Sequence, residues 1–203
     1  SLPQSLTSTT GMDAMTHAVE AFIGRSSTSS TRRYAIEAVR LISENILTAY
    51  REPNNKESRA KMLHAAYLAG MAFTKSYVGY VHAVAHSLGG QYHTPHGLAN
   101  SVLLPIVLRK YGVKAEHRLA LLARAAGISK ASEDHKAAEE MIARIQELND
   151  AMQIPRALPF IDEADIPAMA RKAAREANPL YPVPVLWDAK ELEEIYRSAK
   201  NNS

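Results

Sequence analysis

GYVHAVAHSLGGQYHTPHGLAN, residues 79–100, holds four of the chain's eight histidines among residues that are otherwise mostly small or apolar. His82 and His86 stand four apart, one turn of a helix, so their imidazoles share a face. Beyond the Gly89-Gly90 pair come His93 and His96, with Pro95 suited to the first turn of a second helix and Thr94 to its N-cap. Two helix ends therefore face each other with imidazoles between them. The nearest comparable cluster is Asp13-Ala14-Met15-Thr16-His17, where a carboxylate and an imidazole again share one helical face.

Working outward, the same helical period recurs along the chain. Met15, Val19, Phe22 and Ile23 mark a helix from about 11 to 23, capped by Thr9 or Thr10, and the run 26–31 reads as a loop and cap before a second helix ending near 50. A third helix spans about 58–74. Its middle, MLHAAYLAGMAF, is apolar or small almost all round, which predicts a helix buried inside a bundle with His64 as a hydrogen-bonded core residue and Met62, Met71 and Phe73 as ordinary core. Pro105 predicts a kink in the helix after Pro95, and Pro167 suits the first turn of a later one. The segment 178–186 carries three prolines and cannot be helical. No window alternates like a strand, so the fold class is all-α, a multi-helix bundle, read as one domain over 1–203.

Composition narrows the function. The chain is 46% hydrophobic and 22% charged, as a globular protein is, and its formal charge of +3 comes from Lys and Arg interleaved with acids, which argues against a nucleic-acid surface. No stretch approaches the ~20 apolar residues of a membrane span, and no secretory signal opens the chain, so a cytoplasmic protein is expected. With no Cys, any metal must be held by nitrogen and oxygen.

Asp and neutral His are ligands for Fe(II), Zn, Ni or Mn, and four imidazoles in an apolar setting leave many nitrogens that one cation would satisfy together. Each residue taken alone has an ordinary reading: Asp13 as a first-turn partner of the helix dipole, His17 as half-buried, His117 and His135 as solvated. Tyr80 and Tyr92 flank the cluster as candidate pocket walls. Spacing does not decide which pair of the four histidines at 82–96 binds a metal.

The stretches TGMDAMTHAVEAFI (10–23), AIEAVRLISENI (35–46), GYVHAVAHSLGGQYHTPHGLANSVLLPIVL (79–108) and REANPLYPVPVL (175–186) resemble, in order, the C-terminal helical domain of the iron-containing (group III) alcohol dehydrogenases. The resemblance implies metal ligands at Asp13, His17, His82 and His96, and a proton-relay role for His86 beside the metal and nicotinamide. It implies Fe(II), with Zn, Ni or Mn as alternatives, and NAD or NADP held by a separate N-terminal α/β domain. No glycine-rich phosphate loop or βαβ pattern is present here, so this chain is expected to be the metal-binding half, inactive alone and a weak metal binder. The implied substrate is a small primary alcohol or diol, oxidised to an aldehyde or formed from it, in an enzyme expected to be a homo-oligomer. A zinc glycerol dehydrogenase-like enzyme and a non-catalytic helical interaction module are the alternatives. Two positions depart from the family: Ser87 stands where Pro is usual, expected to alter only the helix turn, and His93 replaces Asn or Asp, adding an imidazole near the pocket.

Overall fold

A computed structural model describes residues 2–201, and among them nine helices and no strand are present. They are α1 (Gln4–Ile23), α2 (Ser29–Arg51), α3 (Lys56–Ser76), α4 (Tyr80–Tyr92), α5 (His96–Tyr111), α6 (Val113–Ala125), α7 (Asp134–Ala151), α8 (Ile166–Ala177) and α9 (Ala189–Asn201). The period-3.6 pattern thus becomes an all-α bundle. No helix among the described residues is long and apolar enough to cross a membrane.

α1 is the axis. Most of it is buried, because Met12, Met15, Val19, Phe22 and Ile23 are interleaved with Ala14, Ala18 and Ala21, so several helices can approach it at once. α2 and α3 pack together against it, α5 and α6 also contact it, and α4 lies against α5 and α8. α9 packs on α8 and α5, and α6 pairs with α7. This arrangement brings the middle of α1, the first turn of α4 and the start of α5 together.

Three local expectations are corrected. α1 begins at Gln4 behind Pro3, with no side-chain cap; Thr9 and Thr10 lie inside it and donate back to Ser5 O at 2.8 Å and Leu6 O at 2.6 Å. Threonine satisfies its own hydroxyl this way within a helix, so a TT pair does not mark a start. Thr94 is likewise no cap: Pro95 holds the N-cap position of α5 and no side chain caps it. α3 is not enclosed. Leu63 is 74% and Tyr67 63% exposed, His64 faces solvent, and Met62, Met71 and Phe73 are only half-buried, because α1 and α2 cover just one side, that of Ala65, Leu68, Ala69 and Ala72.

α5 runs through Pro105. A proline there has no N–H for the carbonyl of Ser101, four residues back. That carbonyl is instead taken by Asn149 of α7, whose Nδ2 donates to Ser101 O at 2.7 Å from a fully enclosed position. Replacing Asn149 with Leu is expected to cost about 1–3 kcal/mol, the penalty for a stranded buried carbonyl, read as a lower urea midpoint at unchanged m-value.

The non-helical stretch after α8 is pinned by aromatics. Trp187 stacks between Tyr80 and Tyr111 at centroid distances of 5.1 and 4.5 Å, and the Tyr80 hydroxyl donates to Asn178 Oδ1 at 2.7 Å while accepting from Trp187 N–H at 2.8 Å. Tyr80 is therefore a structural peg in the interior rather than a pocket wall. Tyr92, half-buried, donates to Asp165 Oδ2 at 2.8 Å and joins α4 to the entry of α8.

Candidate metal centre

Asp13 and His17 project from the middle of α1, His82 from the first turn of α4, and His96 from the first residue of α5. Close approach of α5 to α1 depends on Gly97: a Cβ there would lie 2.5 Å from the backbone oxygen of Thr9, so any larger residue pushes His96 away from Asp13. Ligand atoms of Asp13, His82 and His96 all fall within 4.8 Å of one another. From Asp13 Oδ1 to the Nε2 atoms of His96 and His82 the separations are 3.3 and 3.6 Å. Two ligands about 2.1 Å from one ion in a tetrahedral site lie about 3.4 Å apart, which these distances bracket.

His82 shows most directly that the donor set suits a cation. It is 1% exposed, and its Nδ1 meets Glu20 Oε2 at 2.6 Å. Glu20, itself 3% exposed, also accepts from Gly79 N–H and Val81 N–H, each at 2.8 Å. A carboxylate already accepting two amide protons makes Nδ1 the protonated nitrogen and leaves Nε2 with its lone pair. That buried Nε2 has no hydrogen-bond partner and faces the Asp13 oxygen. Two electron-rich atoms turned towards each other in the interior call for a proton or a metal ion between them. Gly79 is required for this support, since a Cβ on it would lie 2.7 Å from Glu20 Oε1.

The electrostatics of the metal-free site follow. Burial would raise the Asp13 carboxyl, but the imidazoles of His17, His82 and His96 gathered around it hold it well below the usual carboxylate range. Burial would lower His82, yet Asp13 and Glu20 on either side push it up to about 9. A histidine raised in this way stabilises the fold fully below its unfolded value of 6.5 and loses that contribution as pH rises through about 9. In chelator, the melting temperature is expected to fall by several degrees between pH 6.5 and 9, a contribution of about 3 kcal/mol. Metal competes with the same proton, so its affinity is expected to climb over that window, as titrations at successive pH values would show.

The remaining predicted residues divide. His17 stands beside the tight set: its Nε2 approaches the other Asp13 oxygen, Oδ2, at 3.6 Å, while its ring stacks between Phe73 and His82 at 4.1 and 4.2 Å. His86 borders the set, its ring stacked on His96 at 5.2 Å, but its Nδ1 is engaged by Glu176 Oε1 at 2.6 Å. His93 is exposed and closes α4 in the left-handed conformation, φ 54°, a conformation that Asn and Asp adopt more readily than most non-glycine residues. Ser87 does more than alter a turn: its hydroxyl donates to Val84 O at 2.8 Å and pairs with the buried Tyr196 hydroxyl at 2.5 Å, tying the histidine helix to α9. His117 and His135 are exposed and pair with Asp134 and Glu116 between α6 and α7.

Two participants escaped the sequence reading. Asn100 lies four residues after His96, and its Nδ2 donates to Asp13 Oδ1 at 2.6 Å and to His96 Nε2 at 2.9 Å, so in this structure one amide group engages both acceptors. Glu20 lies seven residues after Asp13, the same face once more, and that i, i+4, i+7 series of Asp13, His17 and Glu20 was its available signal.

Residues 7–200 match the family model described as Fe-containing alcohol dehydrogenase family, C-terminal. The chain is 42% identical over 200 residues to the 1,3-propanediol dehydrogenase of Citrobacter freundii, covering 97% of this chain and 51% of that relative. It is 45% identical over 159 residues to alcohol dehydrogenase 4 of Saccharomyces cerevisiae (strain ATCC 204508 / S288c), covering 77% of this chain and 40% of that one. Among solved structures, a 1,3-propanediol oxidoreductase superposes with a TM-score of 0.93 at 40% identity over 98% of this chain and 53% of its own. The chain spans about half the length of these relatives. Because the family model spans residues 7–200, nearly the whole chain, and the solved relative superposes over 98% of it, the chain belongs to the Fe-containing alcohol dehydrogenase family, in the part that forms its C-terminal helical domain.

Proposed function

We propose that this chain is the metal-binding half of an NAD(P)-dependent dehydrogenase that interconverts a small primary alcohol or diol with its aldehyde. The observation that carries the reading is the convergence of Asp13, His82 and His96 with the orphaned Nε2 of His82 among them. Asp13, His17, His82 and His96 would hold a divalent ion, Fe(II) in the first instance, with Zn, Ni or Mn as alternatives suited to the same donors. When bound, the ion supplies Lewis-acid polarisation of an alcohol or carbonyl oxygen.

The chain's own residues supply the rest. Glu20 keeps the His82 lone pair directed at the site, and Gly97 keeps His96 within reach of Asp13. His86, next to the ligand set and 44% exposed, would take the hydroxyl proton of the alcohol and release it to solvent. A nicotinamide held by a separate nucleotide-binding domain would supply the hydride acceptor. In aldehyde reduction the proton runs the other way. The catalytic assignment is therefore His86. The relatives' names, propanediol and alcohol dehydrogenases, support the substrate class. The same reading places the enzyme in the cytoplasm as a homo-oligomer.

The test is twofold. Loaded anaerobically with Fe(II), the chain is expected to bind one ion weakly and to lose it to chelator, with no alcohol oxidation by itself. Supplied with a nucleotide-binding half, it is expected to oxidise propanol or 1,3-propanediol. Turnover by the 203-residue chain alone, or saturation without stoichiometric metal, would overturn the reading.

A further inference from the structure

His86 touches the ligand set without turning its Nδ1 to it. That nitrogen meets Glu176 Oε1 at 2.6 Å, in the last turn of α8, and the same oxygen accepts a hydrogen bond from the Tyr181 hydroxyl at 2.8 Å. Burial and the neighbouring Glu176 carboxylate push the Tyr181 hydroxyl well above its ordinary value, so it remains a donor at any working pH. Tyr181 is not on a loose loop. Its N–H donates to Ala177 O at 2.7 Å, and the following residue is tied to the end of α1 by Arg25 N–H donating to Pro182 O at 2.6 Å. The stretch is further anchored by the Tyr80, Asn178 and Trp187 contacts already described.

The hydrogen-bond accounting fixes the protons. An ionised Glu176 has no proton to give, so its Oε1 accepts from both the phenol and His86, which puts the proton on Nδ1 and leaves Nε2, across the ring, with its lone pair. This is the arrangement that a third group imposes on a catalytic base, seen here on a base lying against His96. We propose that Glu176 and Tyr181 are positioning residues for His86, the phenol holding the carboxylate and the carboxylate holding the imidazole as its Nδ1–H tautomer, so that Nε2 is the nitrogen that exchanges a proton with the alcohol. The proposal rests on the reading of His86 as the proton relay. In the oxidation direction the alcohol O–H proton passes to Nε2, the resulting imidazolium is held by the Glu176 carboxylate, and the proton then leaves Nε2 for water, so Glu176 itself gains and loses nothing.

The experiment reads the ring directly. In this chain labelled with ¹⁵N at histidine, long-range proton–nitrogen spectra are expected to show His86 protonated at Nδ1 and bare at Nε2. Glu176→Ala is expected to move the ring towards the Nε2–H tautomer. Tyr181→Phe is expected to keep the tautomer, since the carboxylate remains. Should Glu176→Ala fail to fold, Glu176→Gln preserves volume and a carbonyl acceptor but not the charge: the tautomer is expected to persist while kcat, measured with the nucleotide-binding half supplied, falls about tenfold with little change in KM for the alcohol. Recovery of part of that loss in Glu176→Asp distinguishes charge from packing. A wild-type ring carrying its proton on Nε2, a tautomer indifferent to Glu176→Ala, or an undiminished kcat in Glu176→Gln overturns the positioning. An undiminished kcat in His86→Ala overturns the relay reading instead.

Discussion

Asp13→Ala is expected to weaken metal binding by at least about 100-fold. In tight structural zinc sites, worth about 10–16 kcal/mol with four ligands, one ligand's share is about 3 kcal/mol. The true loss should exceed that share, because Asp13 is the one anionic ligand of the proposed set and both of its oxygens are used, Oδ1 towards His82 and His96 and Oδ2 towards His17. Elemental analysis after anaerobic loading, or a Co(II) titration followed by its visible bands, reads the effect. Asp13→Asn separates charge from shape. It keeps an oxygen in place but removes one of the two anions that raise His82, so the fall in melting temperature between pH 6.5 and 9 should become shallower along with the loss of metal. Full stoichiometric metal in Asp13→Ala would remove the carboxylate from the site.

The sequence made the bundle legible because apolar residues recur at helical spacing almost everywhere, and it made the donors legible because imidazoles amid Ala, Val and Gly have few ways to be satisfied. The partners of those donors were harder to read. Glu20 looks like any helix acid until one notices that it shares a face with Asp13 and His17, between Val19 and Ala21 that are both enclosed. Glu176 and Tyr181 lie in the stretch 175–186 that carries the resemblance, but nothing in it points to His86, since the chain separates Glu176 from His86 by a span of 90 residues and only the packing of α4 on α8 joins them. Helix α3 illustrates the opposite failure. A helix apolar all round reads as enclosed, but periodicity cannot say whether another element is present to cover each side, and the side bearing Leu63 and Tyr67 is bare in this chain. Ser87 shows a third limit: a residue that interrupts a family pattern was read locally, while its actual partner, Tyr196, arrives from the last helix.

Glu20 is where removal of one side chain should damage stability most. Truncation to Ala strands three buried donors at once, Gly79 N–H, Val81 N–H and His82 Nδ1–H, at about 1–3 kcal/mol each, so a loss of about 3–9 kcal/mol is expected. Against a total of about 5–15 kcal/mol for a typical domain, the variant would sit near unfolding, seen as a collapse of the urea midpoint. Glu20→Gln is the milder and more informative change. Its carbonyl can replace Oε2, which serves Gly79 and His82, leaving its NH₂ against the N–H of Val81, a donor facing a donor. The cost should then fall to about 1–3 kcal/mol, and the His82 ring should keep its proton on Nδ1. Even so, the imidazole loses the anion behind it and becomes a poorer ligand, so metal affinity should drop about 10–100-fold, the range for partners of metal-bound histidines. The two readouts separate the roles of the carboxylate: a stable Glu20→Gln protein with wild-type metal affinity would make Glu20 a support for the α4 backbone and nothing more.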